Sequence, residues 1–197
     1  MNVAITGGIG SGKSFVCKSI ARRGIAVYDC DQAAKRLMCS SPYVRRQLSQ
    51  LIGDVAYHAD GTLNKQVVTR FLLASEHNRH LINAIVHPAV ADDFIMWQPV
   101  QTDRRGLKVM ECALLFESGF DRFIDLTICV TAPLETRIAR IMRRDGLTRS
   151  AALEWIERQM PQETVAARCG RIIVNDGVAD IEQQLDDTLN FVVRNEQ

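Results

Sequence analysis

Short apolar runs alternate along the chain with segments whose apolar residues recur every three or four positions. Residues 2–6, 25–28, 108–116, 126–131 and 171–175 are dense in Val, Ile and Leu, as strands buried on both faces are. Helical spacing appears in 15–23 (Phe15, Val16, Ile20), 64–72 (Val67, Val68, Phe71, Leu72) and 81–86 (Leu81, Ile82, Ile85, Val86). It returns near the end as Ile181, Leu185, Leu189 and Val192. Punctuation agrees with this reading. Gly24 stops the first helix, Ser41-Pro42 opens one that Gly53 closes, and Asn64, Thr148 and Asp180 are N-cap candidates. Pro133 starts a helix, Pro161 ends the one after Thr148, and Pro88 is expected to break or restart the helix that reaches His87.

Strands alternating with helices predict a three-layer α/β fold with a mostly parallel five-stranded sheet, in one domain spanning 1–197. The block 42–98 carries no strand signal and is too long for one crossover helix. A helical insertion over about 32–98 is therefore expected, either purely structural or holding a second substrate. The short helical pair after Thr148 reads as a lid, over about 140–165.

Composition narrows the partners. Apolar content of 47% and charged content of 24% are those of a water-soluble globular chain. A net charge of +1 argues against a polybasic nucleic-acid or membrane surface. No apolar run has transmembrane length, and strand residues begin at Asn2, leaving no room for a signal peptide. The six cysteines are scattered without a C-x-x-C pair, as expected of reduced thiols in the cytoplasm.

The chemistry starts at Gly7-Gly8-Ile9-Gly10-Ser11-Gly12-Lys13-Ser14, which fits G-x-x-x-x-G-K-[ST] between a strand and a helix. Glycines let backbone N–H groups close around phosphate, and the following helix adds its N-terminal dipole. Lys13 supplies a mobile charge for the β- and γ-phosphates, and Ser14 suits Mg²⁺. The motif implies a nucleoside triphosphate.

Other candidates lie at strand ends or along helices. Asp29 and Asp31 follow the second strand, where parallel sheets bind ligands, and suit a base or metal-side ligand; one of them could instead cap the next helix. Glu117 follows the third run, and His87 precedes Pro88. Arg137, Arg140 and Arg144 share one helix face, either a clamp for a transferring phosphoryl group or a solvated basic stripe. Guanine-specific N-K-x-D is missing, because Asn64-Lys65-Gln66 is followed by Val67. The D-x-x-G match at 103–106 precedes a strand and is read as chance.

Taken in order, these motifs resemble the dephospho-coenzyme A kinase family over essentially the whole chain. The resemblance rests on Thr6–Ser14, on Asp29-Cys30-Asp31-Gln32-Ala33-Ala34, on His87-Pro88 and on Leu114-Leu115-Phe116-Glu117. It continues through Arg140 to Gly146, Gln159 and Ile173-Val174-Asn175. Departures are Ala113 for a usual Pro, Trp155 for a lid Arg and Gly170 for an acid, with Arg158 near enough to replace the lid charge. The resemblance implies transfer of the ATP γ-phosphoryl group to the ribose 3′-hydroxyl of dephospho-CoA. Asp31, Lys13 and Arg140 would be catalytic. Gly8, Ile9, Gly10, Ser11, Gly12, Lys13, Ser14, Phe15, Arg144 and Asn175 would bind ATP. Asp29, His87, Phe116 and Glu117 would bind dephospho-CoA, and Ser14 would hold Mg²⁺. A kinase of another small acceptor, or a catalytically weak nucleotide sensor, stays open on the residues alone.

Overall fold

The computed structural model describes residues 1–97 and 106–194, with side chains through Phe191. The D-x-x-G match at 103–106 and the Val192 side chain lie outside the described residues. The chain divides into two compact units, one of Met1–Tyr28 with Pro99–Gln197, the other of Asp29–Gln98.

The first unit is built on a five-stranded parallel sheet in the order β2-β3-β1-β4-β5. The strands are β1 (Asn2–Thr6), β2 (Val27–Asp29), β3 (Lys108–Glu111), β4 (Leu126–Thr131) and β5 (Arg171–Val174). β1 sits between β3 and β4, with Ile5 opposite Glu111 on one side and Ile128 on the other. Alternation sends Val3, Ile5, Val109, Ile128, Val130 and Ile173 into one core. There they meet Val16 and Ile20 of α1 (Lys13–Arg22) and Leu185 and Leu189 of α9 (Ile181–Arg194). Ala4, Met110 and Cys129, pointing the other way, are also buried. Both faces being covered explains why the strands read as unbroken apolar runs.

The third strand is shorter than its apolar run. Its ladder ends at Glu111 because its partner β1 ends at Thr6, where the chain turns into the phosphate loop. Cys112 N–H still reaches Ile5 O at 3.0 Å. Beyond it Leu114, Leu115 and Phe116 coil into turns closed by Ser118 N–H on Leu114 O and Phe120 N–H on Leu115 O. Leu115 is fully buried, so its hydrophobicity serves the core without a strand.

The second unit is helical: α2 (Cys30–Ser40), α3 (Pro42–Ile52), α4 (Lys65–Ala74) and α5 (Glu76–Met96). α5 packs against the other three. Ser41 and Asn64 cap α3 and α4 as expected, accepting from Val44 N–H and Val67 N–H. Pro88 does not break α5, which runs through it. Ile82 and Val86 before it, and Val90, Ala91 and Phe94 after it, are buried on one stripe. Packing on both sides of the proline outweighs the lost backbone hydrogen bond.

Candidate active site

β1 delivers the chain into the loop 7–12, and α1 begins at Lys13, two residues before the apolar pattern starts. Gly12, at φ 97°, is the left-handed N-cap residue that permits this turn. Gly10, at φ 79°, faces α6 (Leu134–Asp145), and a Cβ there would come within 2.7 Å of Arg137 O.

The loop's carbonyls are all engaged. Lys13 Nζ donates to Gly7 O at 2.7 Å and Gly8 O at 3.3 Å. Arg137 Nε donates to Ile9 O at 2.9 Å. Arg140 Nη1 donates to Gly10 O at 3.3 Å and Ser11 O at 3.1 Å, and Asn175 Nδ2 to Ser11 O at 2.8 Å. In a trans peptide each carbonyl points opposite to the next residue's N–H. Holding Gly7 O, Ile9 O and Ser11 O therefore turns the Gly8, Gly10 and Gly12 amides the other way. Those amides have no protein acceptor among the described residues. The intervening ones are occupied, Ile9 N–H by Gln159 Oε1 at 2.7 Å and Ser11 N–H by Gly8 O at 3.1 Å. Inward amides, a helix N-terminus and Lys13 make an anion site.

The three arginines of one face separate. Arg137 is buried and Arg140 is bound to the loop and to Asn175 O and Oδ1, at 3.1 and 3.0 Å. Arg144 is exposed and forms a fork with Asp145 of its own helix, the closest contact being 2.8 Å. Neither the clamp nor the solvated stripe describes all three.

Ser14 Oγ donates to Glu111 Oε1 at 2.7 Å. Glu111 is absent from the sequence expectations, because the apolar run does not reveal that the strand ends there. A hydroxyl and a carboxylate side by side are hard oxygen donors that fit Mg²⁺, which takes few protein ligands and completes its shell with phosphates and water. No group of three His, Cys, Asp or Glu suited to a metal occurs among the described residues.

Beside Gly12 opens a cleft of about 590 Å³ lined by Phe15, Arg140, Arg143, Asn175 and Gly177. Phe15, 52% exposed, offers it an aromatic face. Asn175 is held by its own N–H on Thr131 O at 2.8 Å, which fixes the side chain that grips Ser11.

Around this centre, Glu117 Oε1 accepts from Met160 N–H at 3.4 Å. Met160 lies between α7 (Arg149–Glu157) and a helix the sequence did not announce, α8 (Gln162–Ala167). Phe116 carries the Arg168 guanidinium over its ring at 3.9 Å. Arg158 lies 3.9 Å from Glu154, and Trp155 is partly exposed. At Gly170 a Cβ would stand 2.9 Å from Leu126 Cδ1, so an acid would not fit there without movement.

In the helical unit, Asp29 caps α2, its Oδ1 accepting from Gln32 N–H at 2.9 Å, and Asp31 lies in that helix's first turn. His87 is half-buried in α5, and burial pushes its imidazole below the usual histidine range.

Sheet order, phosphate loop and basic clasp define a P-loop kinase fold. The solved dephospho-CoA kinase of Campylobacter jejuni shares it, with a TM-score of 0.71 over 100% of this chain and 98% of that one at 18% identity. A Thermus thermophilus protein superposes with a TM-score of 0.78 over 100% and 98% at 28% identity. In sequence, the chain is 34% identical to the dephospho-CoA kinase of Bacteroides fragilis over 98% of its length and 93% of that protein's. It is 40% identical to that of Porphyromonas gingivalis over 83% and 78%. Residues 1–180 match the dephospho-CoA kinase family, and the chain belongs to it.

Proposed function

We propose that this chain transfers the γ-phosphoryl group of ATP to the ribose 3′-hydroxyl of dephospho-CoA, producing coenzyme A and ADP. Family membership across residues 1–180, joined to a loop whose carbonyls are clasped and whose alternate amides are turned toward an anion, carries this reading. The bond between the γ-phosphorus and the β–γ bridging oxygen breaks, and one forms to the 3′ oxygen. Asp31 takes the hydroxyl proton. Lys13 and Arg140 stabilise charge on the transferring group. Ser14 with Glu111 holds Mg²⁺, which when bound offsets phosphate charge. Gly8 to Phe15, Asn175 and Arg144 bind ATP, the base lying toward the cleft at Phe15.

On the acceptor side, Asp29, His87, Phe116 and Glu117 contact dephospho-CoA, and the helical region over about 32–98 receives it. Residues from about 140 to 165 act as the lid that keeps water from the phosphoryl group. The scattered cysteines suit a cytoplasmic enzyme. Among the described residues no helix is long and apolar enough to cross a membrane.

The test is a coupled ADP-release assay with and without dephospho-CoA, with product analysis. Release should depend on dephospho-CoA, and the product should gain one phosphate at the 3′ position. Release indifferent to dephospho-CoA but stimulated by another small alcohol would overturn the assignment.

A further inference from the structure

The basic clasp contains a charge that the proposed chemistry does not use. Arg137 is 5% exposed, and its guanidinium stands directly beneath the phosphate loop. A Cβ on Gly8 would collide with Nη2 of Arg137, so the loop can approach this closely only because residue 8 lacks a side chain. No carboxylate lies within ion-pair distance of Arg137 among the described residues. The charge of Glu163 reaches it only from farther away. A cation removed from water without a paired anion is costly, and burial accordingly lowers its affinity for its proton.

We infer that Arg137 is a positioning residue of the phosphate loop and the fixed counter-charge of the bound triphosphate. The inference rests on the ATP-binding half of the reading above. Two physical effects support it. First, Nε–H on Ile9 O holds the Ile9–Gly10 peptide plane, and so fixes where the Gly10 N–H points. Arg140 and Asn175 do the same for the next exposed amide, that of Gly12, whereas Arg137 alone among the described side chains donates to Ile9 O. Second, the guanidinium contributes positive potential from behind the loop in a setting sheltered from water, where charge acts strongly. The triphosphate then supplies the anion that Arg137 otherwise lacks.

Ile9 ties this arrangement to the neighbouring helices. Its N–H is bound by Gln159, its carbonyl by Arg137, and its side chain packs on the small core of Ile138, Ile141 and Ala152. The residue whose carbonyl Arg137 holds is thereby fixed at its amide, its carbonyl and its side chain.

The test compares wild type with Arg137→Met, which removes both donor and charge, and Arg137→Gln, which keeps a donor. Calorimetry with Mg²⁺ and a non-hydrolysable ATP analogue reads affinity without any acceptor. Arg137→Met should weaken binding at least tenfold, and Arg137→Gln should recover part of that loss. The ATP KM should rise in parallel, while kcat at saturating ATP stays within about threefold and the acceptor KM within twofold. The melting temperature of the unliganded protein should hold or rise, because a buried unpaired charge has gone. A purely structural residue would give the reverse, with a lower melting temperature and unchanged affinity of the folded fraction. That result, or analogue affinity within twofold of wild type in Arg137→Met, overturns the inference. If Arg137→Met does not fold, wild-type affinity in Arg137→Gln overturns the counter-charge role, and a several-fold loss supports it. A protein that bound the analogue normally but ignored dephospho-CoA would overturn the acceptor assignment alone.

Discussion

Asp29 and Asp31 are two residues apart and do different work. Asp29 spends its carboxylate on Gln32 N–H as the cap of α2, a role worth about 1 kcal/mol. Asp31, in the first turn, accepts no such capping bond among the described residues and is the proposed base. Asp31→Asn keeps the size and most hydrogen bonding but cannot take a proton. Its kcat should fall by roughly a hundredfold or more, with ATP affinity little changed. Nearly full turnover in that variant would remove Asp31 from the mechanism, and lost ATP binding would move it to the nucleotide side. The sequence alone left open which of the two aspartates caps α2, because both lie where a strand becomes a helix. Glu111 was hidden for a related reason. Its strand ends where its neighbour ends, and a partner's length is not written in the strand itself.

At the scale of elements, α5 is the informative case. A proline in a helix interior removes one hydrogen bond and crowds the preceding turn, at a cost of about 3 kcal/mol. Five buried side chains spread over 82–94 keep the helix continuous regardless. Pro88→Ala should therefore restore a backbone donor and raise stability by about 1–3 kcal/mol. Urea unfolding of the whole chain measures this. A lower midpoint in Pro88→Ala would mean that packing of the ring is worth more than the missing bond. The caps at Ser41, Asn64, Thr148 and Asp180 were all legible, since each needs only its own side chain and an amide a few residues on. The extra helix α8 was not: the helix expected to end at Pro161 stops at Glu157, and Pro161 is instead the N-cap residue of α8.

On the scale of the whole molecule, the first and last helices are joined across the sheet's covered face. Below Leu185 and Leu189 in the core lies a polar seam of Ser19, Arg22 and Arg23 on α1 with Glu182 and Asp186 on α9. The Ser19 hydroxyl, then Arg23, holds the Glu182 carboxyl below the usual glutamate range. A depressed carboxyl stabilises the fold above its unfolded pKa, and that contribution is lost as pH falls through the folded value. The loss should begin near pH 4.5 and deepen below it. Glu182→Gln should thus be less stable than wild type at pH 7, and the gap should narrow as pH falls below 4.5. A gap independent of pH would show that Glu182 acts by packing or neutral hydrogen bonding. Salt should narrow the gap at pH 7, because the seam is largely exposed.

Periodicity, caps and the glycine-rich loop were sufficient, by themselves, to establish the strands, most helices, the α/β class and the phosphate site. All of these depend on residues close together in the chain. The order β2-β3-β1-β4-β5, the end of β3 at Glu111 and the fates of three arginines on one helix face were decided only by tertiary structure. Arg137, Arg140 and Arg144 have the same side chain and the same helical face. One lies buried beneath Gly8, one grips Ser11 and Asn175, and one turns to Asp145 in water. What separates them is depth along α6 relative to the loop, a distance set by how the helix packs and by no property of the arginines themselves.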